Sequence, residues 1–262
     1  MDVFGLPQDP KVIHMAGARF SCVGIGRAPS APDDYALRKT DALAERYLQL
    51  ADDFQDAQIL ELGIDEGAST AFLALLMKPR KLVAVDIGSH RVAELDSFVQ
   101  RRDLGSSVRP YWGVDQGDRD KLQAILAREF GDVPLDLVID DASHALAPTR
   151  TSFELLYPRL RPGGVFLIED WSTQLWFEHG YLQGDAGDGE EGDALAEVHR
   201  QLGEPLARLV CEIVAVTGYR PDVIAGIRIW DGWLEIERGP AELSDNFSVS
   251  DLLHPLGQRM FR

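Results

Sequence analysis

Short apolar segments alternate along the chain with longer segments in which apolar residues recur every three or four positions. The first pattern predicts strands and the second predicts helices. The predicted strands are residues 58–62, 81–85, 107–112, 135–139, 164–168, 223–230 and 233–237. The predicted helices are residues 34–55, 69–77, 91–102, 119–130, 148–157 and about 193–217. Frequent prolines before residue 33 predict an irregular arm.

Strands that are apolar throughout and alternate with amphipathic helices are typical of a parallel sheet covered on both faces. The dipeptide Asp231-Gly232 separates the last two strands and predicts a tight hairpin. We therefore predict an α/β fold whose sheet ends in an antiparallel pair. Residues 1–57 are expected to form an N-terminal arm and helix, 58–240 the main domain, and 241–262 a C-terminal tail.

Charge and composition narrow the classes of partner. Lys and Arg number 26 against 43 Asp and Glu, a net charge of −17, which repels phosphate backbones and anionic membranes. We therefore expect no nucleic-acid and no membrane partner. No apolar run approaches the roughly 18 residues that a membrane span needs. Cys22 and Cys211 are too few for a disulfide framework, so we expect buried, reduced thiols in a cytoplasmic protein.

Residues 184–193 have an unusual composition, with five acidic residues and four glycines. Their spacing does not match a calcium-binding EF-hand loop. Two interpretations stay open: a solvated loop, or a lid-like insertion over a site near residues 169–171. The insertion is expected to span about residues 171–193.

Three strand ends predict a nucleoside-binding site, because ligands bind at the carboxyl ends of strands in an open parallel sheet. Gly63 and Gly67 lie in the first strand-to-helix turn, where the backbone can approach a ligand and the helix N-terminus can bind an anion. Asp86 ends the second strand, about 20 residues later, and can accept hydrogen bonds from ribose hydroxyls. Asp115 and Gln116 follow the third strand and can bind an adenine edge. A plain tight turn and helix-capping side chains are the alternative interpretation.

Acidic residues also follow the fourth and fifth strands, and they predict a metal site. Asp141, Glu169 and Asp170 offer three hard oxygen ligands of the kind that Mg²⁺ prefers. His144 follows Asp141 by three residues, where its imidazole can face the same opening. Without a cation these groups would repel one another and be costly to desolvate. The alternative is a set of unrelated capping acids beside a surface histidine.

Taken together, these motifs resemble those of the class I S-adenosylmethionine-dependent methyltransferases. The resemblance covers about residues 56–238, and Asp65 departs from it by standing where the glycine-rich turn usually has its middle glycine. Within the class, the chain is most similar to the metal-dependent O-methyltransferases that act on sugars of macrolide and related antibiotics. The motifs in chain order are Glu61-x-Gly63-x-x-x-Gly67, Asp86, Asp115-Gln116, Asp140-Asp141-Ala142-Ser143-His144 and Pro162 to Asp170.

The resemblance implies a Rossmann-like, doubly wound sheet of seven strands, mostly parallel with an antiparallel last strand. It implies S-adenosylmethionine and Mg²⁺ as cofactors, a hydroxylated small molecule as acceptor, and a dimer or tetramer. His144 would be the catalytic base, and Asp141, Glu169 and Asp170 the metal ligands. The implied cofactor-binding residues are Glu61, Gly63, Gly67, Ser69, Asp86, Asp115, Gln116 and Asp140.

The sequence motifs are compatible with two other functions. One is a phenol or catechol O-methyltransferase, although catechol enzymes have a Lys at the position of His144. The aromatic residues Trp171, Trp176 and Phe177 can stack on a phenol or on a sugar, so they do not discriminate. The other is a cofactor-binding module without turnover, against which the combination of His144 with three acids argues. A nicotinamide dehydrogenase is weaker still, because the dinucleotide fingerprint is incomplete.

Overall fold

A computed structural model describes residues 11–23, 32–175 and 203–253 of the 262-residue chain. Its strands are β1 (Val12–Met15), β2 (Ala18–Cys22), β3 (Asp34–Leu37), β4 (Gln58–Leu62), β5 (Lys81–Asp86), β6 (Val108–Trp112), β7 (Leu135–Asp140), β8 (Leu160–Glu169), β9 (Ile224–Trp230) and β10 (Trp233–Arg238). Its α-helices are α1 (Asp41–Leu50), α2 (Ala68–Leu76), α3 (Ala93–Arg101), α4 (Arg119–Glu129), α5 (Leu146–Leu156), α6 (Ala207–Tyr219) and α7 (Val249–Leu252).

Strands β4 to β10 belong to one seven-stranded sheet with the order β6-β5-β4-β7-β8-β10-β9. Strand β5 is parallel to both β4 and β6, and β7 is parallel to β8. Strand β10 is antiparallel to β8 and to β9. The predicted α/β fold, with seven strands of which β10 runs against the others, is therefore confirmed.

The chain divides into two compact units, with the boundary between Val114 and Asp115. The first unit contains β4, β5 and β6. Strand β5 lies between the other two, and its four middle residues are apolar and buried. The second contains β7 to β10. In this unit Phe153 stacks on Tyr157, with ring centroids 4.7 Å apart, and packs edge-on against Phe166 at 4.9 Å. Tyr157 directly follows α5, and its hydroxyl donates to the carbonyl oxygens of Val223, just before β9, and Glu237, in β10, at 3.0 and 3.1 Å. These bonds tie the end of α5 to the base of the terminal hairpin.

The N-terminal region forms a second, smaller sheet that the sequence analysis did not predict. Strands β1 and β2 are antiparallel, and β2 and β3 are parallel. The expected irregular backbone is therefore wrong for residues 11–23. The expected helix from residue 34 is wrong up to residue 40. Alternate side chains of β2 and β3 are buried, Phe20 and Tyr35 among them, and this two-residue period is the signal of a half-buried strand.

Helix α1 begins after Thr40, whose hydroxyl accepts a hydrogen bond from the Leu43 N–H at 3.2 Å. Such a cap satisfies one of the four backbone donors left free at a helix N-terminus. The remaining predicted strands and helices are confirmed to within a few residues, although β8 begins four residues earlier than predicted. Helix α6 matches the second part of the predicted helix 193–217, whose first part lies outside the described residues.

The structure also bears on the expected absence of a membrane partner and on the two cysteines. No helix among the described residues is long and apolar enough to cross a membrane. Cys22 is buried as expected, and burial raises the pKa of its thiol to about 11, with the nearby Asp41 carboxylate adding to the increase. The expectation that Cys211 is buried is wrong, because that side chain is exposed.

Phe20 tests whether the N-terminal sheet is part of the folded core. Its ring is fully buried, stacks on Tyr35 at 5.0 Å and meets Phe72 of α2 edge-on at 5.2 Å. We expect Phe20→Ala to lower the free energy of unfolding by about 3–5 kcal/mol in chemical denaturation. The control Val12→Ala, at an exposed position of β1, should change it by less than about 0.5 kcal/mol. Equal effects would mean that residues 11–23 are an irregular arm after all.

Candidate functional site

The turn between β4 and α2 has the backbone geometry of a close-approach loop. Gly63 and Gly67 have φ angles of +96° and +81°, a region that L side chains rarely adopt. A Cβ on Gly67 would lie 2.8 Å from the Leu95 side chain, so this position also needs glycine for packing. Asp65, where the resemblance expects a glycine, has a φ of +49° and adopts the left-handed conformation itself. The departure from the motif is therefore accommodated by the backbone.

Asp86 ends β5 and is bonded to this turn. One carboxylate oxygen, Oδ2, accepts hydrogen bonds from the N–H groups of Ile64 and Asp65 at 2.8 and 2.9 Å. The other, Oδ1, accepts one from the Gly88 N–H at 2.6 Å. A carboxylate has about four acceptor positions. Binding both ribose hydroxyls in addition would therefore require Asp86 to release one of these backbone donors.

The other residues predicted around the glycine turn have distinct positions. Glu61 is buried and accepts a hydrogen bond from the Thr70 hydroxyl at 2.6 Å, which ties β4 to α2. Ser69 is half-buried in the first turn of α2. Arg38, which is not among the predicted site residues, pairs with Asp65 at 3.2 Å and with Glu66 at 3.1 Å. No pattern in the sequence indicated this pairing, because Arg38 is distant along the chain and has no motif around it.

In the second unit, Asp115 and Gln116 differ sharply in environment although they are neighbours. Asp115 is exposed, and its Oδ1 accepts a hydrogen bond from the Gly117 N–H at 2.7 Å. Gln116 is only 5% exposed. Its Nε2 donates to the carboxylate of Asp140 at 2.9 Å, and its Oε1 accepts from the Ser143 N–H at 2.8 Å.

Asp140 is the last residue of β7 and is 2% exposed. Burial raises the pKa of its carboxyl to about 6, because the charged form loses its hydration. The charge of His144 and a hydrogen bond from the Ser152 hydroxyl act in the opposite direction. Ser152 lies on the following helix, α5, and is not among the predicted site residues.

Three of the residues predicted around the metal lie close together. Asp141, His144 and Asp170 each offer one ligand atom, and these atoms all lie within 4.8 Å of one another. All three side chains are half-buried. The two carboxylates repel each other at this spacing, and a divalent cation between them would remove that repulsion. Their hard oxygen atoms are the ligands that Mg²⁺ prefers, so the set fits such a cation.

Glu169 is not a member of this group. It is the last residue of β8, is 1% exposed, and lies opposite Trp233 in the register of β8 and β10. Its predicted role as a metal ligand stays a prediction. The group instead brings in His144, which sequence analysis assigned as the base.

Two residues of the group have strained backbones that their neighbours hold in place. His144 and Asp170 both have φ angles of +52°, in the left-handed region. Such residues cost of order 1–3 kcal/mol each and persist where the surroundings determine them. The Asp170 N–H donates to the Gly232 carbonyl at 2.7 Å, and a Cβ on Gly232 would lie 3.2 Å from Asp170 Oδ1. The hairpin glycine that sequence analysis used to predict a turn therefore also supports the site.

The aromatic residues and the predicted lid can be described only in part. Trp171 is half-buried, and its indole N–H donates to the carbonyl oxygen of Trp230 at 3.3 Å. Trp176, Phe177 and the acidic loop 184–193 lie outside the described residues. The lid over residues 169–171 stays a prediction.

Comparisons with known proteins agree with this geometry. Residues 60–171 match the family model described as a methyltransferase domain. L-olivosyl-oleandolide 3-O-methyltransferase of Streptomyces antibioticus is 39% identical over 143 residues, 52% of this chain and 33% of that protein. Mycinamicin VI 2''-O-methyltransferase of Micromonospora griseorubida is 52% identical over 62 residues, 24% of this chain and 15% of that protein.

A solved structure extends the likeness to the fold. MycE methyltransferase from the mycinamycin biosynthetic pathway, in complex with Mg and SAH, is 28% identical with a TM-score of 0.50. The match covers 78% of this chain and 50% of that one. The matched segments span a third or less of the two curated relatives. The domain match and the sheet order make this chain similar to the class I methyltransferases. Among these it resembles the O-methyltransferases of macrolide and related antibiotic sugars.

Proposed function

We propose that the chain is an S-adenosylmethionine-dependent, Mg²⁺-assisted O-methyltransferase that methylates a sugar hydroxyl of a glycosylated natural product. The observation on which the proposal rests is the grouping of Asp141, His144 and Asp170 within 4.8 Å. The relatives support the class of acceptor, because their names describe O-methylation of mycinamicin VI and of L-olivosyl-oleandolide. The MycE structure, with Mg and SAH bound, supports the choice of both cofactors.

The cofactor assignment rests on the glycine turn and on Asp86. The free N–H groups in the first turn of α2, at Ala68 and Ser69, suit the carboxylate of a methionine moiety. Asp86 keeps about one acceptor position for a ribose hydroxyl. The exposed carboxylate of Asp115 can accept a hydrogen bond from an adenine amino group. Glu61 already accepts a hydrogen bond from Thr70, so we assign it to holding β4 and α2 together on either side of the glycine turn.

The chemistry is a direct displacement. The acceptor oxygen attacks the sulfonium methyl, the C–S bond breaks as the O–C bond forms, and S-adenosylhomocysteine leaves. An alcohol is a poor nucleophile at neutral pH, so its proton must be removed, and His144 is placed to accept it. Asp141 and Asp170 would hold the cation. When bound, the cation supplies charge stabilisation at the acceptor oxygen.

The proposal also includes the oligomeric state, the compartment and the kind of partner. We infer a dimer or tetramer in the cytoplasm, acting on a small molecule rather than on nucleic acid or membranes. The support is the family resemblance, together with the net charge of −17.

The first test of the function is turnover with S-adenosylmethionine on two panels of acceptors, macrolide glycosides with free sugar hydroxyls and catechols. We expect methylated glycosides and S-adenosylhomocysteine with Mg²⁺, and no product in excess chelator. Asp141→Asn and Asp170→Asn should each weaken Mn²⁺ binding by more than about tenfold, because a charged ligand is lost. The control is Asp120→Asn, which replaces an exposed acid of α4.

Glu169→Gln extends this test to the predicted ligand that lies outside the group. A loss of Mn²⁺ binding equal to that of Asp170→Asn would establish Glu169 as a third ligand. Full turnover in chelator would contradict the metal role. Methylation of catechols alone would replace the sugar acceptor by a phenolic one.

The role of Asp86 predicts a change in cofactor affinity. Asp86→Asn removes the negative charge that strengthens hydrogen bonds from ribose hydroxyls and from the turn. We expect the Kd for S-adenosylhomocysteine, measured by calorimetry, to rise by about 10- to 100-fold, as one or two bonds to a charged group are weakened. The matched control is Asp103→Asn, at an exposed acid of the same unit. An unchanged Kd in Asp86→Asn would remove Asp86 from the cofactor site.

His144 has two candidate roles, and one variant separates them. If His144 is the base, His144→Ala should lower kcat by about 10²–10⁴ while the affinities for Mn²⁺ and S-adenosylhomocysteine stay within twofold of wild type. If it is instead a metal ligand, Mn²⁺ affinity should fall together with kcat. We expect the first result, measured by single-turnover kinetics and by electron paramagnetic resonance of bound Mn²⁺. Retention of the full rate would leave His144 as a turn residue only.

A further inference from the structure

The amide of Gln116 is engaged at both ends inside the second unit. Its Nε2 lies 3.1 and 2.9 Å from the two carboxylate oxygens of Asp140 and 3.2 Å from the Ser152 hydroxyl. Its Oε1 accepts the Ser143 N–H at 2.8 Å. With 5% of the residue exposed, these bonds are largely shielded from water.

This arrangement conflicts with the prediction that Gln116 reads an adenine edge. Recognition of adenine would use the same Nε2 and Oε1 atoms that already bind Asp140 and Ser143. Releasing them would remove the Gln116 donor from the buried Asp140 carboxylate, which would keep the Ser152 hydroxyl. It would also remove the acceptor of the Ser143 N–H. The loss of a hydrogen bond to a charged group costs about 1.5–3 kcal/mol. The Gln116 amide therefore binds groups of the protein and is not available to a ligand.

The two partners of Gln116 lie on either side of a candidate metal ligand. Asp140 directly precedes Asp141, and Ser143 lies between Asp141 and His144. His144 has a left-handed backbone, with a φ of +52°, so the turn needs outside support to keep it there. Gln116 provides that support from a segment 24 residues before Asp140.

We propose that Gln116 is a positioning residue for the turn that presents Asp141 and His144 to Asp170. Ser152 assists it, since its hydroxyl lies 3.2 Å from Asp140 Oδ2. The inference rests on the proposed function, in which this turn contributes to the metal and to proton transfer. Loss of a residue that orients metal ligands through hydrogen bonds typically lowers metal affinity or activity by 10- to 100-fold.

Glutamine is the side chain that meets both requirements of this position. The amide donates to the Asp140 carboxylate and accepts from the Ser143 N–H at the same time. A glutamate would keep the acceptor but place a second carboxylate against Asp140. An asparagine keeps both groups on a stem one methylene shorter, so it cannot span the same two partners at these distances.

The test compares Gln116→Leu, which fills the same volume without polar atoms, with Gln123→Leu, which changes an exposed glutamine of α4. Three quantities are measured on the full chain: Mn²⁺ affinity by electron paramagnetic resonance, S-adenosylhomocysteine affinity by calorimetry, and hydrogen exchange of peptides covering residues 141–146. For Gln116→Leu we expect Mn²⁺ affinity to fall by about 10- to 100-fold, faster exchange, and a cofactor Kd within twofold of wild type. Gln123→Leu should change none of the three.

A second variant keeps the test decisive if Gln116→Leu does not fold. Gln116→Asn retains the amide and should show the same pattern with smaller changes. A raised cofactor Kd with unchanged Mn²⁺ affinity and unchanged exchange, in either variant, would overturn the inference and restore the adenine contact. If the wild-type protein binds no S-adenosylhomocysteine, the proposed function fails, while Mn²⁺ affinity and exchange still decide the role of Gln116.

Discussion

The candidate site depends on one buried carboxylate, that of Asp140 at the end of β7. A carboxylate that is 2% exposed requires partners, because burying an unpaired charge costs several kcal/mol. The partners come from two other segments, Gln116 ahead of α4 and Ser152 in α5. Gln116 binds the Ser143 N–H as well, so satisfying the carboxylate also determines the path of the turn that follows it.

The strained turns of the second unit are supported by a well-packed sheet. Strands β7 and β8 are apolar and buried for most of their length, and their paired backbones hold the positions at which the turns begin. His144 and Asp170, each just past one of these strands, can then adopt left-handed conformations that an isolated loop would rarely populate. The terminal hairpin contributes through Gly232, whose carbonyl oxygen accepts the Asp170 N–H and whose missing side chain leaves room for the Asp170 carboxylate.

The sequence predicted the main sheet well and the N-terminal sheet not at all, for a physical reason. Strands β4, β5 and β7 are mostly apolar and buried and end at glycine or acidic turns, a pattern that is typical of a buried parallel strand. Strands β1 to β3 are four or five residues long and alternate in burial. Over so few residues that pattern is easily lost among prolines and charged residues, and only contacts such as Phe20 with Phe72 of α2 identify the region as part of the core.

By itself the sequence determined the order and type of the main strands, the glycine turn, and the placement of acidic residues at strand ends. Those features depend on local periodicity and on which residues tolerate a tight turn. The tertiary structure decided which side chains meet. It groups Asp170 with Asp141 and His144 but leaves Glu169 in the last position of β8, paired with Trp233 of β10 and buried. Asp170 lies just after the strand, where its left-handed backbone turns the chain away from the strand direction. The tertiary structure also brings the Gln116 amide into hydrogen bonds with Asp140 and Ser143. The sequence pattern could not predict these bonds, because only the folded chain determines that the Asp140 carboxylate is buried and needs a donor.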